Sequence, residues 1–165
     1  MKNVTIKVVS VMCITGLVLA CNQTTKEGAA PASADNEQIK KEIQTKEDAF
    51  ADVFNSRILK NIGYYADDAT SFIQNREPLV GKQAILSFLQ SDLASNSNKI
   101  SFKTNEIFSS NDGNLVVEIG AFKVVDSTDA PINTGNYMTL FEKRDGKYVA
   151  VRDMSTSDGR QVSTY

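Results

Sequence analysis

The spacing of apolar and polar residues divides the chain from Glu37 onward into a helical part and a part with strand-like alternation. From Glu37 to Phe54 apolar residues recur every three or four positions, the period of a helix with one buried face. That face carries Ile39, Ile43, Ala49, Phe50, Val53 and Phe54. The polar face is assigned Lys40, Lys41, Glu42, Lys46, Glu47 and Asp52. Asp35 or Asn36 can cap the first turn.

Two further helices are predicted on either side of an extended segment. Asn55-Ser56 interrupts the first pattern, and a second, short helix is expected to carry Ile58, Leu59, Ile62 and Tyr65. Gly63 disfavours regular helix within it. A third amphipathic helix is predicted from Lys82 to about Leu93. The stretch from Tyr64 to Ile85, with an extended segment at Thr70–Gln74 and a turn at 75–78, is expected to form the wall and lid of a pocket.

Period-two alternation dominates the second half of the domain and predicts strands. The predicted strands are Ile100–Thr104, Leu115–Val125, Tyr137–Lys143 and Lys147–Met154. Turn residues separate them, namely Asn111-Asp112-Gly113-Asn114 and the tight turn Arg144-Asp145-Gly146. Helices followed by an antiparallel meander indicate an α+β fold, with N-terminal helices packed on a curved antiparallel sheet.

The N-terminus has the form of a secretory signal. Lys2 and Lys7 precede the uncharged run Val8–Ala20, which is too short to span a membrane. Its end, Val18-Leu19-Ala20-Cys21, resembles the bacterial lipoprotein box, in which the cysteine is lipidated and becomes the new N-terminus. An ordinary signal peptide with a chance cysteine is the alternative. Under the lipoprotein interpretation, residues 1–20 are the signal peptide and Cys21 anchors the protein in the cell envelope.

Asn22-Gln23 resembles the sequence of lipoproteins sorted to the outer rather than the inner membrane, with the domain in the periplasm or on the cell surface. The small polar residues that follow predict a flexible tether over 21–36 and a single domain over 37–165. Because Cys13 would leave with the signal, the mature domain would contain no disulfide. Loss of Lys2 and Lys7 changes the net charge from −2 to −4, and without a basic run nucleic acid is not expected as a partner.

The order of elements and three motifs together resemble the SnoaL-like, nuclear-transport-factor-2-like superfamily, also called the cystatin-like α+β cone. The motifs are Tyr65-Ala66-Asp67-Asp68-Ala69, Gly81-Lys82-Gln83-Ala84-Ile85 and Arg144-Asp145-Gly146-Lys147-Tyr148. The resemblance covers about 37–156 and implies a cone-shaped fold. It does not imply one activity, because the superfamily contains ketosteroid isomerases, cyclases, dehydratases, transport factors and secreted proteins of unknown role.

The catalytic groups of the isomerase branch do not match this sequence. The position of the aspartate base falls at Ile73 or Gln74, and that of the helix tyrosine at Ala49 or Phe50. The segment 136–141, where the branch has a protonated aspartate, contains no acid. The sequence therefore argues against ketosteroid isomerisation.

The chain contains no histidine, which removes further chemistry. Histidine-dependent nucleophilic catalysis is excluded, and a zinc or iron site is not expected. Oxygen ligands for calcium or magnesium are available at Asp67-Asp68 and at Asp126–Asp129, although neighbouring acids in polar loops usually form solvated turns. We predict no metal and no cofactor.

The candidate site residues are polar groups in register with apolar ones on strands. Asp153 follows Val149 and Val151, and Glu118 alternates with Val116, Gly120 and Phe122. Burial would raise the pKa of either acid and suit it to acid–base catalysis. The alternative is a structural acid at the mouth of the cone, bonded to Arg152, Tyr64 or a backbone amide. The predicted catalytic residues are Asp153 and Glu118, and the predicted ligand-binding residues are Tyr64, Phe72, Tyr137, Phe141 and Asp153.

Two functional hypotheses follow. In the first, a lipid-anchored, non-catalytic domain binds a small apolar or amphipathic ligand in its cone, or forms a homodimer through its open sheet face. In the second, Asp153 or Glu118 works with a tyrosine in an acid–base enzyme such as a cyclase, dehydratase or isomerase-like catalyst. The enzyme requires a carboxylate deep in a closed cavity within hydrogen-bond reach of a second polar group. Both acids paired and solvent-exposed would contradict it.

Overall fold

Two helices and six strands make up the domain in a computed structural model, which describes residues 34–60 and 62–159. The elements are α1 (Asn36–Asn55), β1 (Tyr65–Ile73), β2 (Leu79–Val80), α2 (Lys82–Ser95), β3 (Lys99–Ser109), β4 (Leu115–Val125), β5 (Pro131–Arg144) and β6 (Lys147–Ser157). The strands form one sheet in the order β2-β1-β6-β5-β4-β3. The predicted signal peptide, Cys21 and most of the predicted tether lie outside the described residues.

The α+β prediction is confirmed, with one difference in the sheet. Strands β3 to β6 form the expected antiparallel meander, but β1 pairs with β6 in parallel, so the sheet is mixed. The turn between β5 and β6 has positive φ angles at Asp145 (51°) and Gly146 (75°), as a tight two-residue hairpin requires. The predicted helix from Lys82 and the strand Leu115–Val125 are also confirmed.

The predicted second helix is not formed. Residues 56–60 and 62–64 lie in turns and irregular backbone, and the stretch Tyr65–Thr70 belongs to strand β1. Arg57 adopts a left-handed conformation (φ 61°), and its guanidinium donates hydrogen bonds to the carbonyl oxygens of Leu93 and Asn96. Leu59 is buried, as the spacing predicted, but Ile58 is 62% exposed. Tertiary contacts therefore replace helical hydrogen bonds in this segment.

Asp35 caps the N-terminus of α1, and its carboxylate accepts hydrogen bonds from the backbone amides of Glu37 and Gln38. Ala34 also belongs to the folded part, since its amide donates to the carbonyl oxygen of Asn111 (3.1 Å). Within the described ranges, no helix is long and apolar enough to cross a membrane.

Side chains of α1 cover the open edge of the sheet at β3. The side-chain amide of Asn55 donates from Nδ2 to the carbonyl oxygen of Ile100 (2.9 Å), and its Oδ1 accepts from the backbone amide of Ile100 (2.8 Å). Gln44 forms a similar pair with the carbonyl of Phe102 (3.2 Å) and the amide of Thr104 (2.8 Å). These bonds satisfy backbone groups that an edge strand would otherwise leave unpaired, and they fix α1 across the concave face.

We expect Asn55→Ala to lower the free energy of unfolding by about 1–3 kcal/mol, because both backbone groups of Ile100 lose their partner. Urea unfolding at neutral pH measures the change. Gln38→Ala is the control: the Gln38 side chain, on the same helix, donates to the exposed Glu42, and its loss should change the free energy of unfolding by no more than about 0.5 kcal/mol. Equal effects of the two substitutions would contradict the role given to Asn55.

Candidate functional site

A cavity of about 330 Å³ lies between the two helices and the concave face of the sheet. This volume falls within the range of small-molecule sites. Eight aromatic rings contribute to its wall, those of Phe50, Phe54, Tyr64, Tyr65, Phe88, Phe102, Phe122 and Tyr137. The polar side chains of Glu47, Ser71, Thr139 and Asp153 also reach the wall.

Glu47 is a buried acid that the sequence analysis placed on the polar face of α1. Its side chain is only 1% exposed. It lies four residues after Ile43 and three before Phe50, so the helical period directs it toward the sheet with those residues. The Tyr64 hydroxyl donates a hydrogen bond to its Oε1. The spacing alone could have identified this residue, but its charge led to the wrong assignment.

Glu118, on β4, lies beside Glu47 and is fully buried. Its Oε1 accepts hydrogen bonds from the hydroxyls of Thr104 (2.6 Å) and Tyr137 (2.7 Å). Burial, together with the neighbouring Glu118, raises the pKa of Glu47 to about 9. Burial also raises the pKa of Glu118, which the hydrogen bonds from Thr104, Tyr137 and Glu47 partly offset. The two carboxyls therefore share a proton at neutral pH, with Glu47 as donor and Glu118 as acceptor.

Asp153 extends from β6 into the cavity wall. Its Oδ2 accepts a hydrogen bond from the Tyr65 hydroxyl (3.2 Å), and its carboxyl is also bonded to Ser71, its neighbour on β1. Burial raises the pKa of Asp153, and these two hydrogen bonds act against the rise. The other oxygen, Oδ1, is buried and has no hydrogen-bond partner among the described residues. A buried carboxylate oxygen without a partner is costly unless a ligand supplies one.

A β-bulge accounts for the direction of Asp153. Leu140 pairs with Arg152 but Phe141 pairs with Ala150, so Val151 is an extra residue in β6. The simple alternation of Val149, Val151 and Asp153 is therefore broken. Asp153 faces inward because it pairs with Thr139, whose side chain is buried.

A glycine on β4 makes room for Tyr137. Gly120 pairs with Tyr137 across the strands, and a Cβ built on Gly120 would lie 2.2 Å from the tyrosine ring. The ring therefore lies directly over the backbone of β4, which allows its hydroxyl to reach Glu118. A side chain at position 120 would displace that ring.

The predicted site residues divide into three groups. Tyr64, Tyr137 and Asp153 line the cavity, and Glu118 adjoins it through Tyr137 and Glu47 without contributing to the wall. Phe141 is fully buried in the core, where its ring meets that of Tyr64 edge to face (5.7 Å). Phe72 is not part of this site.

Phe72 points to the other face of the sheet because it follows Ser71, which points inward. It is 41% exposed and pairs with Met154. Phe72 therefore does not line the cavity beneath the helices, although Phe72 and Asp153 both border a smaller pocket of about 140 Å³. Acids considered as oxygen ligands also have other partners. Arg144 holds Asp68 through two hydrogen bonds (2.6 and 3.0 Å), and the Asp126 carboxylate caps its own turn at Thr128.

No family model and no curated protein sequence matches the chain. Solved structures are similar in fold. A Nostoc punctiforme domain of unknown function with a cystatin-like fold has a TM-score of 0.65 and 12% identity, over 77% of this chain and 82% of that one. A Shewanella oneidensis NTF-2-like protein of unknown function has a TM-score of 0.59 and 19% identity, over 70% and 96%.

A ketosteroid isomerase-like protein from Erwinia carotovora atroseptica is similar to the same extent, with a TM-score of 0.59 and 15% identity, over 73% of this chain and 97% of that one. The domain therefore has the nuclear-transport-factor-2-like, cystatin-like fold. At these identities the likeness establishes the fold alone.

The proton on Glu47 makes stability depend on pH. The native state keeps this proton between about pH 5 and 9, whereas the unfolded chain loses it near pH 4.5, so stability falls as the pH rises through this window. We expect Glu47→Gln to remove a slope of about 1.4 kcal/mol per pH unit while keeping the hydrogen bonds to Tyr64 and Glu118. Urea unfolding at pH 5, 6, 7 and 8 measures the slope of stability against pH.

The control is Asp52→Asn, since Asp52 is exposed on the same helix, and this variant should retain the parent slope. Identical slopes in the parent and both variants would refute the shared proton.

Proposed function

We propose that the domain binds a small amphipathic molecule in the cavity, with its apolar part against the aromatic wall and its polar group at Asp153. The observation that supports this most directly is Oδ1 of Asp153, a buried oxygen in the cavity wall without a partner. Oε2 of Glu118 is also buried without a partner among the described residues, but Glu118 does not line the cavity, whereas Asp153 does. The cavity volume and its aromatic wall agree with a compact ligand of this type.

We also propose that the domain is held in the cell envelope by lipid on Cys21, with the outer membrane favoured and the domain in the periplasm or on the cell surface. The support is the sequence Val18-Leu19-Ala20-Cys21. A binding protein held at a membrane would meet amphipathic molecules at a raised local concentration.

Acid–base catalysis in the same cavity is the second candidate. A specific observation favours it, because Asp153 is largely buried, has a raised pKa and lies within hydrogen-bond distance of the Tyr65 hydroxyl. Asp153 would exchange a proton with the substrate while Tyr65 donates a hydrogen bond. These groups differ in position from the isomerase residues considered above. Glu118, the other predicted catalytic residue, would support Tyr137 and Glu47 without touching a substrate.

Native mass spectrometry of the full-length chain tests ligand binding. We expect the parent to retain a co-purified small molecule, and Asp153→Asn to lose most of it because the carboxylate no longer meets the polar group. Asp145→Asn, in the β5–β6 turn, is the charge-matched control and should behave as the parent. Conversion of the molecule by the parent but not by Asp153→Asn would favour the enzyme. A cavity empty in every preparation would oppose both candidates.

The outer face of the sheet supports a homodimer as a further part of the proposal. Phe72, Met154, Met138 and Ile119 form a continuous row across β1, β6, β5 and β4. Three of them are at least 41% exposed, namely Phe72, Met138 and Met154. A second copy of the chain, related by a two-fold axis, would cover this row with the same apolar residues.

We expect Met138→Glu to convert a dimer to a monomer, because it places a charge at the centre of the apolar row. Met138→Leu, which keeps the apolar volume, should leave the dimer intact. Sedimentation velocity at micromolar concentration distinguishes the two masses. A monomeric parent would refute the dimer and leave the cavity proposal unaffected.

A further inference from the structure

We infer that the ligand of the cavity is a small organic cation, a protonated amine carried on an aromatic or aliphatic body. This inference rests on the proposed function, since it specifies the charge of a molecule bound at that site. It is carried by three features of the cavity together: its charge, its aromatic wall and the free oxygen of Asp153.

The charged residues of the cavity wall are all acidic. Asp92 from α2 lines the cavity together with Glu47 and Asp153, and no lysine or arginine is among the described lining residues. Lys46 is next to Glu47 in the chain, but its ammonium points away and donates to the carbonyl oxygen of Gly63 (3.1 Å). Because Glu47 keeps its proton at neutral pH, the carboxyls without a lysine or arginine beside them among the described lining residues are those of Asp92 and Asp153. A cationic ligand would supply the missing countercharge.

The aromatic rings of the cavity wall also favour a positively charged ligand. Phe102 lies nearly perpendicular to Tyr137 (87°) and at 65° to Phe50, and Phe50 lies nearly perpendicular to Tyr65 (85°). Rings in such orientations turn their π faces in different directions around the space. The face of an aromatic ring attracts a cation and repels an anion. A ring face turned toward the cavity would therefore attract an ammonium group bound at Asp153.

The unpartnered Oδ1 of Asp153 is expected to give cationic, neutral and anionic ligands different affinities. An ammonium group has three donors and no acceptor, so it matches an unpartnered carboxylate oxygen. A carboxylate or phosphate ligand would place like charges together where little water screens them. An alcohol could donate one hydrogen bond but would leave the buried charge uncompensated. The order of affinity that follows is amine, then alcohol, then acid.

Three probes of the same shape test this order on the full-length chain by isothermal titration calorimetry at pH 7. They are 4-phenylbutylamine, 4-phenylbutanol and 4-phenylbutyrate, which differ in the charge of the terminal group. We expect the amine to bind at least about tenfold more tightly than the alcohol, and the acid not to bind. Because the comparison uses the unaltered protein, it does not depend on the folding of any variant.

Two variants then test whether Asp153 is responsible for the preference for the amine. Asp153→Asn should reduce the affinity for the amine at least about tenfold and leave that for the alcohol within about threefold, whereas Asp145→Asn should change neither. Alcohol binding equal to or tighter than amine binding would overturn the cation inference and leave small-molecule binding standing. Binding of none of the three probes would count against the proposed function as well. An amine preference that survives Asp153→Asn would overturn the role given to Asp153.

Discussion

The pair of buried carboxyls of Glu47 and Glu118 connects the first helix to the centre of the sheet. Through Tyr64, Thr104 and Tyr137 it also joins the start of β1 to strands β3 and β5. Two buried acids repel each other when both are ionised, so the arrangement requires that one of them keep its proton. Burial of the helix, closure of the base of the cavity and the protonation state of the pair therefore depend on one another.

The sequence pattern correctly predicted those turns and helices whose formation depends on residues close together in the chain. The turn at Asp145-Gly146 and the helix from Lys82 follow from their own residues. The second helix failed because Arg57 and Leu59 are held by contacts with distant parts of the chain, which a periodicity of apolar residues does not contain. The parallel pairing of β1 with β6 was missed for the same reason.

The site was less predictable than the fold, and its errors have separate causes. Glu47 was misassigned because charge outweighed position, although its spacing from Ile43 was correct for the buried face. Phe72 does not line the cavity because side chains alternate between the two faces along a strand and the preceding Ser71 faces inward. Asp153 faces inward as predicted, but a bulge and not simple alternation is responsible.

The position of β6 between β1 and β5 also determines when the cavity can form during synthesis. β1 is made early and has only the two-residue strand β2 as its other neighbour, so it joins the rest of the sheet through the last strand made. Asp153, Ser71 and Tyr65 are thus brought together only after β6 has left the ribosome. A nascent chain arrested before β6 would expose the aromatic wall to solvent, so the cavity exists only once β6 has paired with β1 and β5.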